Sequence, residues 1–342
     1  MRLPVQCLAA LIVAFIATVA ASAAGNEVAD FYKGKTLQFI IGYPPGGGYD
    51  AYARLLVRSL GKHIPGGPTI VINNMPGAAS LKAAQFLARI APKDGLTIGM
   101  FNRGLMPKSR LEPKEVDIDF AKFTWIGSMN SDVSICTAWG ASGVRNLADL
   151  RTAHIVLADT AKNSGAYIYT SLLHNLFPDN TRMMLGYEGS NAIWLAMERG
   201  EVDANCNVWA GMKAQKPEWF RDRKANVLVQ FSPTRHPDLP EVPLISEIVN
   251  SQEQKQALEF LVAADVIARP IVGPPGIDLG RAEALRSAFL AATADPELIA
   301  AAEQARLELG IVGGVEAAKI AEKISHTPDR VIQQVRELIK TD

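Results

Sequence analysis

The sequence predicts an α/β protein of two lobes, each a mostly parallel sheet flanked by helices, with a ligand cleft between the lobes. Three observations carry this expectation. Short apolar runs alternate with helical patterns from Leu37 to Phe101. The same alternation restarts at Trp125 and runs to Phe231. Loops of small residues stand where strands hand over to helices, at the strand ends where open α/β folds bind ligands.

In the first unit, Leu37–Gly42 reads as a strand and Ala51–His63 as a helix. Thr69–Asn73 is a strand, and Ser80–Ile90 a helix with Leu81, Ala84 and Leu87 at helical spacing. Lys93-Asp94-Gly95 is a turn before the strand Leu96–Phe101. This β-α-β-α-β order implies a parallel sheet with right-handed crossovers. Trp125–Ser128 and Val133–Trp139 are β-like and read as one long connecting segment. A short helix begins at Ala148–Arg151. The second unit then gives a strand at Ile155–Ala158, a polar loop at Asp159–Gly165 and a helix at Ala166–Leu176. Arg182–Tyr187 is a strand, Ala192–Arg199 a helix, and Val202–Val208 and Val227–Phe231 strands. Pro233 to Pro243 reads as a surface connection. Val262–Ala268 reads as a strand and Pro270–Gly276 as a loop. Three helical patterns close the chain. One starts at Asp295-Pro296-Glu297, an Asp cap with Pro in the first turn, and the last is Asp329–Ile339.

The first 24 residues have the form of a secretory signal. Arg2 is followed by the apolar run Leu8–Val19 and by the small residues Ala21-Ser22-Ala23. The run is near the lower limit for spanning a bilayer, so cleavage and export are expected. Basic and acidic residues number 35 each, and loss of Arg2 leaves 34 against 35, a net of −1. That balance excludes the basic face of a nucleic-acid binder. Cys7 falls in the signal, outside the small-residue context of a lipid anchor. Cys136 and Cys206 remain. In an oxidising compartment they can pair, and buried thiols are the alternative.

The stretch with the strongest chemical content is Leu37 to Asp50, LQFIIGYPPGGGYD. Glycines at a strand-to-helix turn let the backbone approach a ligand, and the helix start offers free amides and a partial positive charge. An anion such as a carboxylate or phosphate suits that arrangement. Gly46, Gly48 and Ala51 also fit a loose dinucleotide fingerprint. That fingerprint needs an acid after the second strand, where this chain has Asn73 and Asn74. A Gly-Lys-Ser/Thr phosphate loop is absent. Met75-Pro76-Gly77-Ala78-Ala79-Ser80 is a second small-residue loop feeding a helix. Lys162-Asn163-Ser164-Gly165 repeats the pattern, with Ser164 able to cap a helix or meet a ligand, and Lys162 able to face a carboxylate. Tyr187-Glu188-Gly189-Ser190-Asn191 is a further loop of the kind. Hydrolytic chemistry has little support. There is no G-x-S-x-G elbow, the five His are scattered, and Asp117 and Asp119 sit in a charged loop. No catalytic residue, metal or cofactor is expected.

These motifs carry a resemblance. YPPGGGYDAYARLL, INNMPGAASLKAAQFLA, PKDGLTIG, LGYEGSNA, GEVDANCNV, SPTRHPDLPEVPLISE and ADPEL occur in an order that resembles the Bug family, the solute receptors of tripartite tricarboxylate transporters. The resemblance implies a periplasmic binding protein of type II whose lobes close on a small carboxylate. It implies a non-enzymatic monomer serving integral-membrane transporter subunits, with no nucleic acid. The expected division is a signal at 1–24, the first lobe at 25–127, the second at 128–242, and a return to the first at 243–342.

In the first lobe the resemblance maps ligand contacts onto Tyr43, Pro45, Gly46, Gly47, Gly48 and Asp50, and onto Gly77, Ala78 and Ser80. In the second it maps them onto Lys162, Ser164, Gly165 and Tyr167, the turn Glu188, Gly189 and Ser190, and the strand end Asn207. Arg103, just past the third strand, is expected at the cleft rim as a second anion contact. Tyr49, Ala166, Glu188 and Asn207 depart from the common pattern, which often has Thr, a hydroxyl residue, a basic or polar residue and Asp at those places. A sensing module and an exported enzyme remain as alternatives to a transport receptor.

Overall fold

The computed structural model describes residues 27–160, 166–249 and 251–340. The expected signal, and with it Lys162, Ser164 and Gly165, lies outside the described residues. The chain forms two compact units. One takes the residues up to Asn102, then Lys122–Met129 and Arg269–Ala318. The other takes Arg103–Ala121, Asn130–Ala268 and the chain from Lys319. Among the described residues, no helix is long and apolar enough to cross a membrane.

The first unit is built on six strands: β1 (Thr36–Ile41), β2 (Thr69–Asn74), β3 (Thr97–Met100), β4 (Thr124–Ser128), β10 (Pro270–Gly273) and β11 (Val312–Gly313), in the order β11-β4-β10-β3-β1-β2. β2, β1 and β3 are parallel, as their helical crossovers require. β10 pairs antiparallel with both β3 and β4, and β11 pairs antiparallel with β4. β1 lies inside the sheet; Leu37, Phe39 and Ile41 on one face are fully buried and Ile40 on the other is 3% exposed, which explains why all but Thr36 and Gln38 of its residues are apolar. The helix Gly48–His63 covers one face, burying Tyr52, Leu55, Leu56 and Leu60 at helical spacing. It starts three residues earlier than the pattern suggests, so Asp50 lies in its first turn rather than ahead of it.

The second unit holds β5 (Ser134–Trp139), β6 (Ile155–Ala158), β7 (Thr181–Met184), β8 (Ala204–Val208) and β9 (Ala225–Phe231), in the order β7-β6-β8-β5-β9. β7, β6 and β8 are parallel, and β5 runs antiparallel to β8 and β9. Both sheets are therefore mixed, with a parallel part built by the βαβ repeats. Cys136 and Cys206 face each other in the β5–β8 register and form a disulfide, with Cα atoms 3.9 Å apart. That settles the alternative left open by the sequence.

Three expectations are corrected. Trp125–Ser128 and Val133–Trp139 are not one segment but β4 and β5, in different sheets. Val262–Ala268 is not a strand. It finishes the helix Gln252–Ala263, capped by Ser251 Oγ on the Gln254 amide, and continues as a 3₁₀ turn over Ala264–Ile267. Its run of apolar residues gives no period that separates a buried helix end from a strand. The strand is Pro270–Gly273, and its proline is tolerated because it occupies the first position.

The unit boundaries also differ from the expected lobes. The return to the first unit comes at Arg269, and the chain from Lys319 joins the second. The helix Asp329–Ile339 explains the latter. Its buried face is Val331, Ile332, Val335 and Leu338. Asn175 Nδ2 donates to Leu338 O at 2.7 Å and Arg336 Nη2 to Leu111 O at 2.7 Å.

Candidate functional site

The glycine loop follows β1 directly. Pro45 through Gly48 are exposed. Gly46 has φ +92°, a left-handed conformation that favours glycine. Gly47 is different. Its φ and ψ are −85° and 172°, open to any residue, and a side chain there would meet no atom within 4 Å. Gly48 has neither a left-handed φ nor a tight neighbour; a Cβ there would approach only Arg269 Nη2, at 3.8 Å. Neither the fold nor the packing asks for glycine at Gly47 or Gly48. Gly47 caps the helix Gly48–His63 without a side chain, and the first helical bond runs from the Ala51 amide to Gly47 O. The amides of the first turn therefore lie beside an exposed, small-residue surface.

Asp50 holds this loop from within. It is 2% exposed. Its Oδ2 accepts from the Gly46 amide at 2.9 Å and from Arg54 Nε at 2.7 Å, and its Oδ1 accepts from Asn74 Nδ2 at 3.0 Å. The Arg54 hydrogen bond, with those of Asn74 and Gly46, outweighs burial and lowers the carboxyl to about 2. Asp50 is thus a buckle for the loop, not an outward-facing contact. Asn74 Nδ2 also donates to Tyr43 O at 2.8 Å.

The second loop is wound left-handed. Ala78, Ala79 and Ser80 have φ of 46°, 49° and 80°, following Gly77 at 146°. Non-glycine residues pay about 1–2 kcal/mol each for that conformation, so the surroundings must enforce it. Ser80 supplies the anchor. It is fully buried, its Oγ accepts from the Asn102 amide at 3.1 Å, and a Cβ on Gly42 would collide with it. Ala78 and Ala79 stay exposed. Asn102 Nδ2 donates to Tyr43 Oη at 2.7 Å. One hydrogen-bonded chain, Ser80–Asn102–Tyr43–Asn74–Asp50–Gly46, therefore joins both loops across the carboxyl ends of β1, β2 and β3. Of the first-unit residues expected here, all from Tyr43 to Ser80 come together.

The expectation for Arg103 is corrected. It lies in the second unit, where Nε donates to Asp265 Oδ1 at 2.7 Å and Nη1 to Asp132 Oδ2 at 2.7 Å. Both carboxylates are buried, and Asp265 also accepts from Tyr169 Oη at 2.5 Å and Ser134 Oγ at 3.2 Å. Burial and the neighbouring Asp265 carboxylate push the Tyr169 phenol well above its ordinary range. The Arg103 Nε and Nη1 groups are engaged by this cluster within the second unit.

Elsewhere in the second unit, Asn207 Nδ2 donates to Ser190 Oγ at 2.8 Å, and Asn207 Oδ1 accepts from the Val208 amide at 2.8 Å. Gly189 caps the helix Ser190–Glu198, and Glu188 is exposed beside it. Tyr167 is buried at the start of the helix Tyr167–Leu176.

Sequence reasoning missed Asn74, Asn102 and Arg269. The Arg269 guanidinium carbon lies 4.7 Å from the Tyr49 ring centre and 5.1 Å from that of Tyr52. Tyr49 in turn stacks on Tyr43, with ring centres 4.8 Å apart and planes 23° from parallel. Asn74 ends β2 and Asn102 follows β3, so both are visible in the sequence as polar residues at strand ends. Arg269 had no signal, because its neighbourhood read as a strand followed by a loop.

No family model matches the chain. Two curated proteins do. The UPF0065 protein of the tcbD-tcbE intergenic region of Pseudomonas sp. strain P51 is 24% identical over 285 residues, 80% of this chain and 79% of the relative. Protein BugT of Bordetella pertussis is 26% identical over 264 residues, 70% of this chain and 73% of the relative. Among solved structures, a ligand-free TctC solute-binding protein from Polaromonas matches with a TM-score of 0.69 at 16% identity, over 90% of this chain and 99% of the other. MatC from Rhodopseudomonas palustris with bound malate gives 0.58 at 20% identity, over 90% and 99%. A second R. palustris protein, solved with adipate, gives 0.58 at 19% identity, over 89% and 97%. Sequence motifs, curated relatives and fold agree: this chain is similar in sequence to protein BugT and in fold to a TctC solute-binding protein.

Proposed function

We propose that the chain is an exported receptor that binds a small carboxylate and delivers it to a membrane transporter. The observation that carries this reading is the exposed pair Gly47 and Gly48. Glycine costs conformational entropy, and here no backbone angle or neighbour repays it. Close approach of a ligand to the first-turn amides gives it a reason. The left-handed Gly77–Ser80 loop, tied to the same hydrogen-bonded chain, is a second stretch where the protein holds a costly backbone. Malate and adipate, the acids held by two proteins of this fold, name the class to try first.

In this reading the ligand is captured as the lobes close. It shifts the protein toward the closed form only by its differential affinity for that form, and the closed form is what a transporter recognises. The test is thermal unfolding of the mature protein against C3 to C10 mono-, di- and tricarboxylates, amino acids and aromatic acids. A ligand of the native state adds about 2.7 kcal/mol at 100-fold excess over its dissociation constant. A clear rise in midpoint with one acid supports the receptor. No shift with any acid, and no acid released when the purified protein is denatured, contradicts it.

A further inference from the structure

We propose that the second unit carries a ligand site of its own, a cavity that takes an amphiphilic monocarboxylate. The acyl chain lies against Phe260, Ile324 and Val331, and the carboxylate meets Arg330. The proposal does not rest on the receptor reading. The cavity measures about 330 Å³ and opens between the helix Gln252–Ala263 and the junction of the helices Gly314–Ser325 and Asp329–Ile339. All of its lining residues belong to the second unit. Its volume falls within the range of small-molecule pockets, about 300–1,000 Å³.

The helix spacing explains the walls. Gln256, Glu259, Phe260 and Ala263 recur at the interval that puts them on one helix face, and that face lines the cavity. Ile324 and Val331 face them from the junction. Phe260, Ala263, Ile324 and Val331 are each at most 9% exposed, so the inner wall is apolar. The junction is held from behind. Thr327 Oγ1 donates to Lys323 O at 2.8 Å, and Arg110 Nη2 donates to Thr327 O at 2.8 Å. Pro328 then starts the last helix. The cavity is therefore preformed between anchored walls.

The rim selects an anion. It carries one acid, Glu259, and that acid is already paired, accepting from Lys323 Nζ at 3.1 Å. Arg330 is exposed at the same rim. Among the described residues no hydrogen bond or ion pair engages its guanidinium, which acts on Glu253 only through space. A guanidinium is charged at every physiological pH, and its planar fork matches two carboxylate oxygens. His326 stands at the rim as well. An amphiphilic acid satisfies both halves of this site, its chain gaining from the apolar wall and its head from the cation. An amine of the same length would meet the wall but be repelled at the rim.

Tiltration calorimetry of the mature protein with dodecanoate, kept below its micelle concentration, reads the site. This acid is longer than any in the receptor panel, which keeps the two readings apart. Wild type is expected to bind one dodecanoate per chain. Arg330→Glu should bind at least about tenfold more weakly, the scale of a lost charged hydrogen bond. Gln256→Trp, which places a large side chain on the helix face that lines the cavity, should lose saturable binding. Gly47→Val should bind dodecanoate as wild type does, because the glycine loop takes no part. Dodecylamine should give no saturable heat. The inference is overturned if wild type does not bind dodecanoate, or if dodecylamine binds equally well. It is also overturned if Gly47→Val loses the binding, or if either Arg330→Glu or Gln256→Trp matches wild type. Should Arg330→Glu fail to fold, Gln256→Trp decides. The receptor reading survives any of these results, since the shorter acids test it separately.

Discussion

The glycine loop of the first unit and the Arg103 cluster of the second use similar groups to opposite ends. Around Arg103, two buried carboxylates, a tyrosine and a serine converge on one another inside the protein. Around Gly47, the acid is turned inward to hold the loop, and small residues with helix-start amides are left at the surface. The first arrangement is a means of holding segments of one unit together. The second is costly for the fold alone, and on the receptor reading proposed above it serves a ligand. The difference teaches that a charged residue near a strand end says little about binding until its own neighbours are known.

Substitutions should separate the two regions. The largest loss of stability belongs to Arg103→Ala. It strands the Asp132 and Asp265 carboxylates in the interior, and removing one member of a buried ion pair costs about 3–5 kcal/mol. Urea unfolding will read this directly, and an unchanged midpoint would mean the cluster is not holding the second unit. Gly47→Val comes next and has the opposite character. Its backbone angles and open surroundings accommodate valine, so the ligand-free midpoint stays put. The ligand-induced gain, about 2.7 kcal/mol at 100-fold excess, disappears.

Gly42→Ala is expected to cost about 1–3 kcal/mol by overpacking against Ser80, and to weaken binding as well, since Ser80 anchors the second loop. Ala79→Gly is the smallest change and runs the other way. Glycine adopts the φ of 49° freely, so relief of about 1 kcal/mol offsets the added chain entropy, and stability is kept or slightly raised while affinity falls. Equal affinity in Ala79→Gly and wild type would show that the left-handed loop plays no part in binding.

Acid supplies a further contrast. The folded-state value of Asp50 is about 2 against an ordinary 3.8. Its contribution to stability is therefore complete above about pH 4 and fades as the pH falls through 2. Asp50→Asn should be less stable than wild type near neutrality, and the gap should close in that acid window. A gap that persists below pH 2 would place its origin elsewhere.

Much of the fold was legible in the sequence. β1, β6 and the helix Asp329–Ile339 have the periodicities that their burial demands. The glycine loop and the Gly77–Ser80 loop were readable because turns and helix starts use distinctive residues. What failed did so for physical reasons. In the Val262–Ala268 run every residue except Val266 is buried, Asp265 among them, so neither a helical nor a strand period shows. Arg103 stands at a plausible position in the chain, but its partners, Asp132 and Asp265, arrive from far away in sequence. The inward turn of Asp50 depends on Asn74 and Arg54, and the stack of Arg269 on Tyr49 joins residues over two hundred positions apart. Long-range contacts of this kind leave no local pattern.

The most direct test of the receptor account is titration calorimetry of the mature wild type and Gly47→Val, side by side, with the acid that raises the wild-type midpoint most. The account predicts saturable heat from wild type and none from Gly47→Val, whose ligand-free unfolding is unchanged. Equal binding by the two proteins would contradict it, because the glycine loop would then not be where the carboxylate meets the chain.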